Sequence, residues 1–309
     1  MVTLAEAPQQ KASVSFKSIL LATDFSDASE KAFKYATTLA RSHNSKICLV
    51  HVLPPESASF IPELPRDRQR HQAEGQMENL ASRSELNQIA HETVVRAGSV
   101  WKVLSAVFHE QNIELVVLGT HGRSGLKKLV LGSVAEEVMR LARCPVLTVG
   151  PDCDAPSTAT EEFRRIVFAT DFHTASVKAF DYALLLASQP QAKLVLLHVM
   201  PPTALPGPEQ HFYDDQMINN WQATARATTK EKLEKLLPPE GKLWSEPEYV
   251  VEFDFIAAGI VKVAAERKAD LIIMGANRPF SAKMSAHTVG TVSHEVIRHS
   301  KCPVLTVSA

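Results

Sequence analysis

An α/β fold built twice, as two tandem doubly wound domains, is what this sequence predicts, and three observations carry the prediction. The first is an internal repeat. Ile19–Pro55, "ILLATDFSDASEKAFKYATTLARSHNSKICLVHVLPP", aligns without gaps to Ile166–Pro202, "IVFATDFHTASVKAFDYALLLASQPQAKLVLLHVMPP", and 20 of the 37 positions are identical. The two halves also end alike, "ARCPVLTV" at 142–149 and "SKCPVLTV" at 300–307. The second observation is the alternation, inside each copy, of short apolar runs with amphipathic stretches, the pattern of a parallel sheet flanked by helices. The third is size: 309 residues, 45% of them hydrophobic, suffice for two ordinary cores. The halves divide as 1–150 and 151–309, and the Pro-, Asp-, Ser- and Thr-rich segment 150–162 reads as the linker.

The elements follow in order. "SILLAT" and "RIVFAT" are continuous apolar runs, which suits strands buried on both faces. A helix follows each, with Ala28, Ala32, Phe33, Ala36 and Leu39–Ala40 on one face. Asp24 and Ser26, and in the second copy Asp171 and Thr174, are its expected caps. "KICLVHV" and "KLVLLHV" are second strands. Long polar helices are expected over about 67–90 and about 209–237. "ETVVRAG" and "EYVVEFDF" supply third strands, and a short amphipathic helix leads to the fourth, "IELVVLG" and "ADLIIMG". A glycine-bearing loop, a helix and "PVLTV" complete each unit.

Composition narrows the function classes. A net charge of −1 provides no general attraction to nucleic acid or anionic membrane. No apolar run approaches the roughly 18–20 residues that span a bilayer. "MVTLAEAPQQKASVSFKS" lacks the basic and apolar regions of a secretory signal, and the four cysteines form no CxxC pair. The expectation is a cytoplasmic chain with reduced thiols, no nucleic-acid partner and no membrane partner.

The chemistry concentrates at two strand ends. "GTHGRSGLKKLVLGS", Gly119–Ser133, follows the fourth strand of the first copy. Its glycines let backbone N–H groups approach a phosphate, and Ser133 opens a helix whose positive end favours an anion, with Arg123, Lys127 and Lys128 adding charge. "ATD" ends the first strand, so Asp24 and Gly119 share one crevice if those strands are neighbours. The same loop admits a plain structural reading: a Gly-rich turn for geometry alone, with Ser133 and Glu136 as a capping box. Neither GxxxxGK[ST] nor GxGxxG is present.

Glycine, two residues, glycine, nine residues, then Gly-Ser describes Gly119, Gly122, Gly132 and Ser133. Together with "ILLATDFS", "LVHV" and "CPVLTV", this pattern resembles the ATP-binding signature of the universal stress protein family, and the resemblance covers both halves. It implies five parallel strands per half in the order 3-2-1-4-5, which puts strands one and four side by side. It also implies ATP as ligand, accompanied by a divalent metal, Mg2+ or Mn2+, for which no carboxylate cluster marks a place. Ala22, Thr23 and Asp24 would lie against the nucleoside; the family often has proline where this chain has Ala22. Val52 would meet the adenine through its backbone, and Leu118 and Gly119 would flank base and ribose. Gly122, Gly132, Ser133, Val134 and Ala135 would surround the phosphates. The family's habit of dimerising through its last strand implies an internal pseudo-dimer of the two halves. Association of two chains into a homodimer, and the identity of a protein partner, stay open.

The second copy keeps Asp171, Val199, Gly275, Gly290 and Thr291 as a weaker second site. Arg278 stands where the second glycine should be, Pro279 follows, the loop is two residues longer, and His294 replaces Glu136. Two function classes result: a nucleotide-binding regulator with slow hydrolysis at most, and a nucleotide-independent interaction or chaperone-like module. An enzyme is not expected, since no general base or nucleophile stands out. "KMS" at 283–285 is read as coincidence, His51 and His198 as core or edge residues, and Cys144 and Cys302 as small buried hydrophobes.

Overall fold

The computed structural model describes residues 14–55, 66–120, 131–154, 163–202, 214–239, 243–276 and 292–309. The first half runs β1 (Ser18–Ala22), α1 (Asp27–His43), β2 (Lys46–Leu53), α2 (Arg66–Ala81), β3 (His91–Ala97), α3 (Val100–Glu110), β4 (Leu115–Gly119), α4 (Ser133–Leu141) and β5 (Val146–Val149). The second repeats it as β6 (Arg165–Ala169), α5 (Thr174–Ala187), β7 (Lys193–Met200), α6 (Asp215–Glu234), β8 (Glu248–Phe253), α7 (Ile256–Glu266), β9 (Leu271–Ala276), α8 (Val292–His299) and β10 (Val304–Ser308).

Burial explains why the central strands read as unbroken apolar runs. Ile19 and Leu21 of β1 pack with Ala32, Phe33 and Ala36 of α1, whereas Leu20 between them faces Leu104 and Val138 on the other side. Both faces of the sheet are covered, so no position is free to be polar. The outer strand β3 is partly exposed and alternates instead.

All ten strands form one sheet in the order β3-β2-β1-β4-β5-β10-β9-β6-β7-β8. Each half is parallel and ordered 3-2-1-4-5; the halves join where β5 and β10 pair antiparallel. Leu147 faces Leu305, and these two are equivalent in the repeated "CPVLTV", so a local two-fold axis passes through that pair. Thr148 Oγ1 donates to the Val304 carbonyl at 3.1 Å and its counterpart Thr306 Oγ1 to the Val146 carbonyl at 3.3 Å. The apolar last strands, a liability as open edges, thereby cover one another. Beyond β5 the chain is pinned to α1: Lys31 Nζ donates to the carbonyls of Pro151 and Cys153, and Tyr35 donates to that of Asp154.

Three expectations about helices need correction. The helix placed over 67–90 stops at Ala81, and a single 3-10 turn, Ser84–Leu86, follows. The intervening residues must reverse the chain to enter β3, which Gln88 assists with φ 67°. The helix placed over 209–237 is Asp215–Glu234: the Asp214 side chain accepts from Met217 N at 2.7 Å, which makes Asp214 its cap. Residues 209–213 of that expectation lie outside the described residues. Thr174 is not a cap; His173 holds that position, without a side-chain hydrogen bond.

Candidate functional site

β1 and β4 are neighbours, and their chains leave in opposite directions, β1 to α1 on one face and β4 to α4 on the other. A crevice opens at their carboxyl ends, as it must where winding reverses. The first wall is built by a short turn. Asp24 Oδ1 accepts from Ser26 N at 3.1 Å and Ser26 Oγ at 2.6 Å, and Ser26 in turn caps α1. Asp24 therefore holds the turn and is not itself the helix cap. Phe25 between them sits at φ 61°, a conformation rare for a bulky residue. Its ring lies 4.6 Å from that of His51, whose Nδ1 donates to the Thr23 carbonyl at 2.8 Å. The second half rebuilds the device: Phe172 at φ 63°, packed 4.8 Å from His198, whose Nδ1 donates to the Thr170 carbonyl at 2.7 Å. Both histidines thus brace the turns, and burial pushes the pKa of His198 below its ordinary value despite the opposing hydrogen bond to Thr170 and the nearby Asp171.

The glycines at the strand ends serve packing. A Cβ on Gly119 would stand 2.8 Å from the Ala28 carbonyl carbon and 2.9 Å from Ser29 N; one on Gly275 would stand 2.3 Å from Ser176 N. These positions admit only glycine because a helix start crosses the end of the strand. Gly132 N donates to the Thr120 carbonyl at 2.8 Å, so the start of α4 is tied to the end of β4.

The expected Ser133–Glu136 capping box is not formed. Gly132 is the N-cap and Ser133 the first helical residue, so the cap has no side chain to offer. Glu136 N makes the first intrahelical bond, to Gly132 O. The N–H groups of Ser133, Val134 and Ala135 accordingly have no partner within α4, the arrangement that favours an anion.

A cavity of about 260 Å³ lies between these parts. Ala22, Thr23, Asp24, Val52, Leu118, Gly119, Gly132, Ser133, Val134 and Ala135 all line it. Gly122, and the basic residues Arg123, Lys127 and Lys128, lie outside the described residues. Five lining residues were missed from the sequence: Ser29, Val50, Val100, Leu104 and Thr120. Val50 stood two residues before Val52 on the same strand face, and Val100 and Leu104 are four apart on one helix, so periodicity could have found them.

In the second half Asp171, Val199 and Gly275 line a cavity of about 410 Å³; Gly290 and Thr291, with Arg278 and Pro279, lie outside the described residues. Burial alone would raise the pKa of the Asp171 carboxyl. Hydrogen bonds from Ser176 and His173, with the charge of His173, outweigh it and hold the group below the usual value. Among the described residues no group of three or more His, Cys, Asp or Glu could hold a metal ion, so the protein side chains described here do not form a metal site. No described helix is long and apolar enough to cross a membrane. Burial pushes the thiols of Cys48, Cys144 and Cys153 up to about 12 and that of Cys302 to about 11, which leaves them unreactive.

Comparison with known proteins agrees with this geometry. The model of the universal stress protein family matches residues 15–150 and again 162–308. Universal stress protein YxiE of Bacillus subtilis is 30% identical over 146 residues, 43% of this chain and 99% of that protein. Universal stress protein MJ0577 of Methanocaldococcus jannaschii is 25% identical over 157 residues, 44% of this chain and 96% of its own length. The crystal structure of a universal stress protein from Archaeoglobus fulgidus superposes over 95% of this chain and 98% of its own, with TM-score 0.68 and 22% identity, a likeness of fold.

Proposed function

The chain belongs to the universal stress protein family, twice over, and from that premise we propose that its first half is an ATP-binding module of a cytoplasmic stress-response regulator. One observation supports this above the others. A single cavity has a carboxylate, Asp24, at one side and, at another, the N–H groups of Ser133, Val134 and Ala135, which have no backbone partner among the described residues, with Val50, Val52, Leu104 and Leu118 between. Nucleoside against Asp24 and the apolar walls, and phosphate at the start of α4, satisfy each group. Mg2+ or Mn2+ would then be held by phosphate oxygens, since no carboxylate cluster offers itself among the described residues. Hydrolysis is expected to be slow or absent, because the described lining brings no paired nucleophile and base together. The second half is a weakened or re-purposed site.

The nucleotide-independent reading, an interaction or chaperone-like module, is favoured by a different observation. Gly119 is required by the contact with Ala28 and Ser29 whether or not a ligand binds. Calorimetry with ATP and Mg2+ decides between the two. One strong site per chain is expected, lost in Gly122→Val with the fold intact. Two equal sites that both survive Gly122→Val would refute the assignment, and no binding at all would leave the interaction module.

A further inference from the structure

The second cavity departs from the first in one direction. Val50, Val100, Leu104 and Leu118 are replaced by Leu197, Ile256, Ile260 and Met274, apolar throughout and as large or larger. Even so the cavity is wider, about 410 Å³ against about 260 Å³. Its surroundings are apolar as well: Phe255 is 73% exposed, Ile256 40% and Val292 37%, where the first half has Ser99, Val100 and Val134. Exposed apolar groups gathered at a cavity mark a place where an apolar body docks.

One side of the cavity is a polar wall made by Thr170, Asp171 and Ser176, and Val292 and Ser293 at the start of α8 line another. Thr170 Oγ1 donates to Ser176 Oγ at 3.0 Å, and Ser176 Oγ donates to Asp171 Oδ1 at 2.7 Å, so both hydroxyl protons are used within the wall. His173 N also donates to Oδ1, at 3.0 Å. The second carboxylate oxygen of Asp171 is hydrogen-bonded to none of the described residues, and the hydrogen bonds on the first keep the group ionised. His173 acts on Asp171 and Lys232 on His198, yet neither basic side chain lines the cavity. The second oxygen of Asp171 therefore lacks a donor among the described residues, and a positive one fits it best.

We propose that the second cavity binds a small amphipathic amine, its apolar body against Leu197, Ile260 and Met274 and its ammonium on the free oxygen of Asp171. This rests on the reading of the second half as re-purposed and is independent of ATP in the first.

Calorimetry on the full chain tests this with 2-phenylethylammonium, and with 3-phenylpropionate as a probe of similar body and opposite charge. One amine per chain is expected, with the carboxylate at least about tenfold weaker. Asp171→Asn should weaken the amine by about tenfold and Asp24→Asn by less than about twofold. Ile256→Lys changes an exposed position and puts like charge at the mouth; it should abolish amine binding with Tm unchanged, which keeps the test intact if Asp171→Asn folds poorly. Equal binding of amine and carboxylate, loss in Asp24→Asn in place of Asp171→Asn, or no amine binding at millimolar concentration would each overturn the proposal. ATP titrated into the same wild-type preparation separates the two readings: failure there removes the first-half assignment and leaves the amine result standing.

Discussion

At the carboxyl end of its first strand each half makes the same turn, yet the two turns are secured differently. In the first, Ser26 caps α1 and Asp24 holds Ser26. In the second, His173 occupies the cap position without a side-chain bond, and Asp171 reaches past it to Ser176. The backbone device is common to both: a phenylalanine at positive φ, a histidine donating to the threonine carbonyl, and a glycine where strand meets helix. The difference teaches which features serve the fold and which are free to serve a ligand. Whatever recurs at this turn braces the sheet end; what differs is how each helix start is capped.

Four experiments bear on that division, taken from the largest expected effect. Gly275→Ala should cost about 3 kcal/mol and Gly119→Ala about 2 kcal/mol in urea unfolding, since backbone must shift to admit either Cβ and the clash at Gly275 is the closer. Equal, small costs would show that the close approach is not a packing requirement. Next, Asp24→Ala should weaken ATP by about tenfold in calorimetry while Asp171→Ala leaves ATP affinity unchanged. If Asp171→Ala has the larger effect, the roles of the two halves are reversed.

Caps come third. Ser26→Ala should lower stability by about 1 kcal/mol, and His173→Ser should raise it by up to about 1 kcal/mol by giving α5 the cap that α1 has; thermal melts of the two variants would read the contrast directly. Smallest is a pH effect from His198 in the second half. The folded pKa of His198 is depressed by burial below its ordinary 6.5, so its contribution to stability is fully present above pH 6.5 and declines as pH falls from there towards the folded value. His198→Gln, which can still donate to the Thr170 carbonyl, should flatten that decline. An unchanged slope would mean that His198 titrates as it does in the unfolded chain.

Much of this was legible beforehand, for identifiable reasons. The strands were found because β1, β4, β6 and β9 are covered on both faces, which leaves short apolar runs bounded by turn residues. Asp24, Val52, Gly119 and Ser133, which line the first cavity, were singled out because they fall in motifs at fixed spacing. Helix ends were read poorly: "SRSELNQ" carries helix-compatible residues, and only the return into β3 stops α2 at Ala81. The capping box failed because Ser133 and Glu136 have the right spacing, but the bond from Gly132 N to the Thr120 carbonyl moves the cap back by one residue.

The sequence by itself determined two copies of one α/β unit, the strand ends where ligand chemistry gathers, and a pair of apolar last strands that needed partners. Tertiary structure alone decided the register in which β5 and β10 meet about Leu147 and Leu305, the left-handed turns at Phe25 and Phe172, and the cavity dimensions. The reason is physical. Periodicity and composition are local and survive in a string of letters, whereas a register, a strained turn or a cavity exists only when residues far apart in the chain are brought into contact and must share one space.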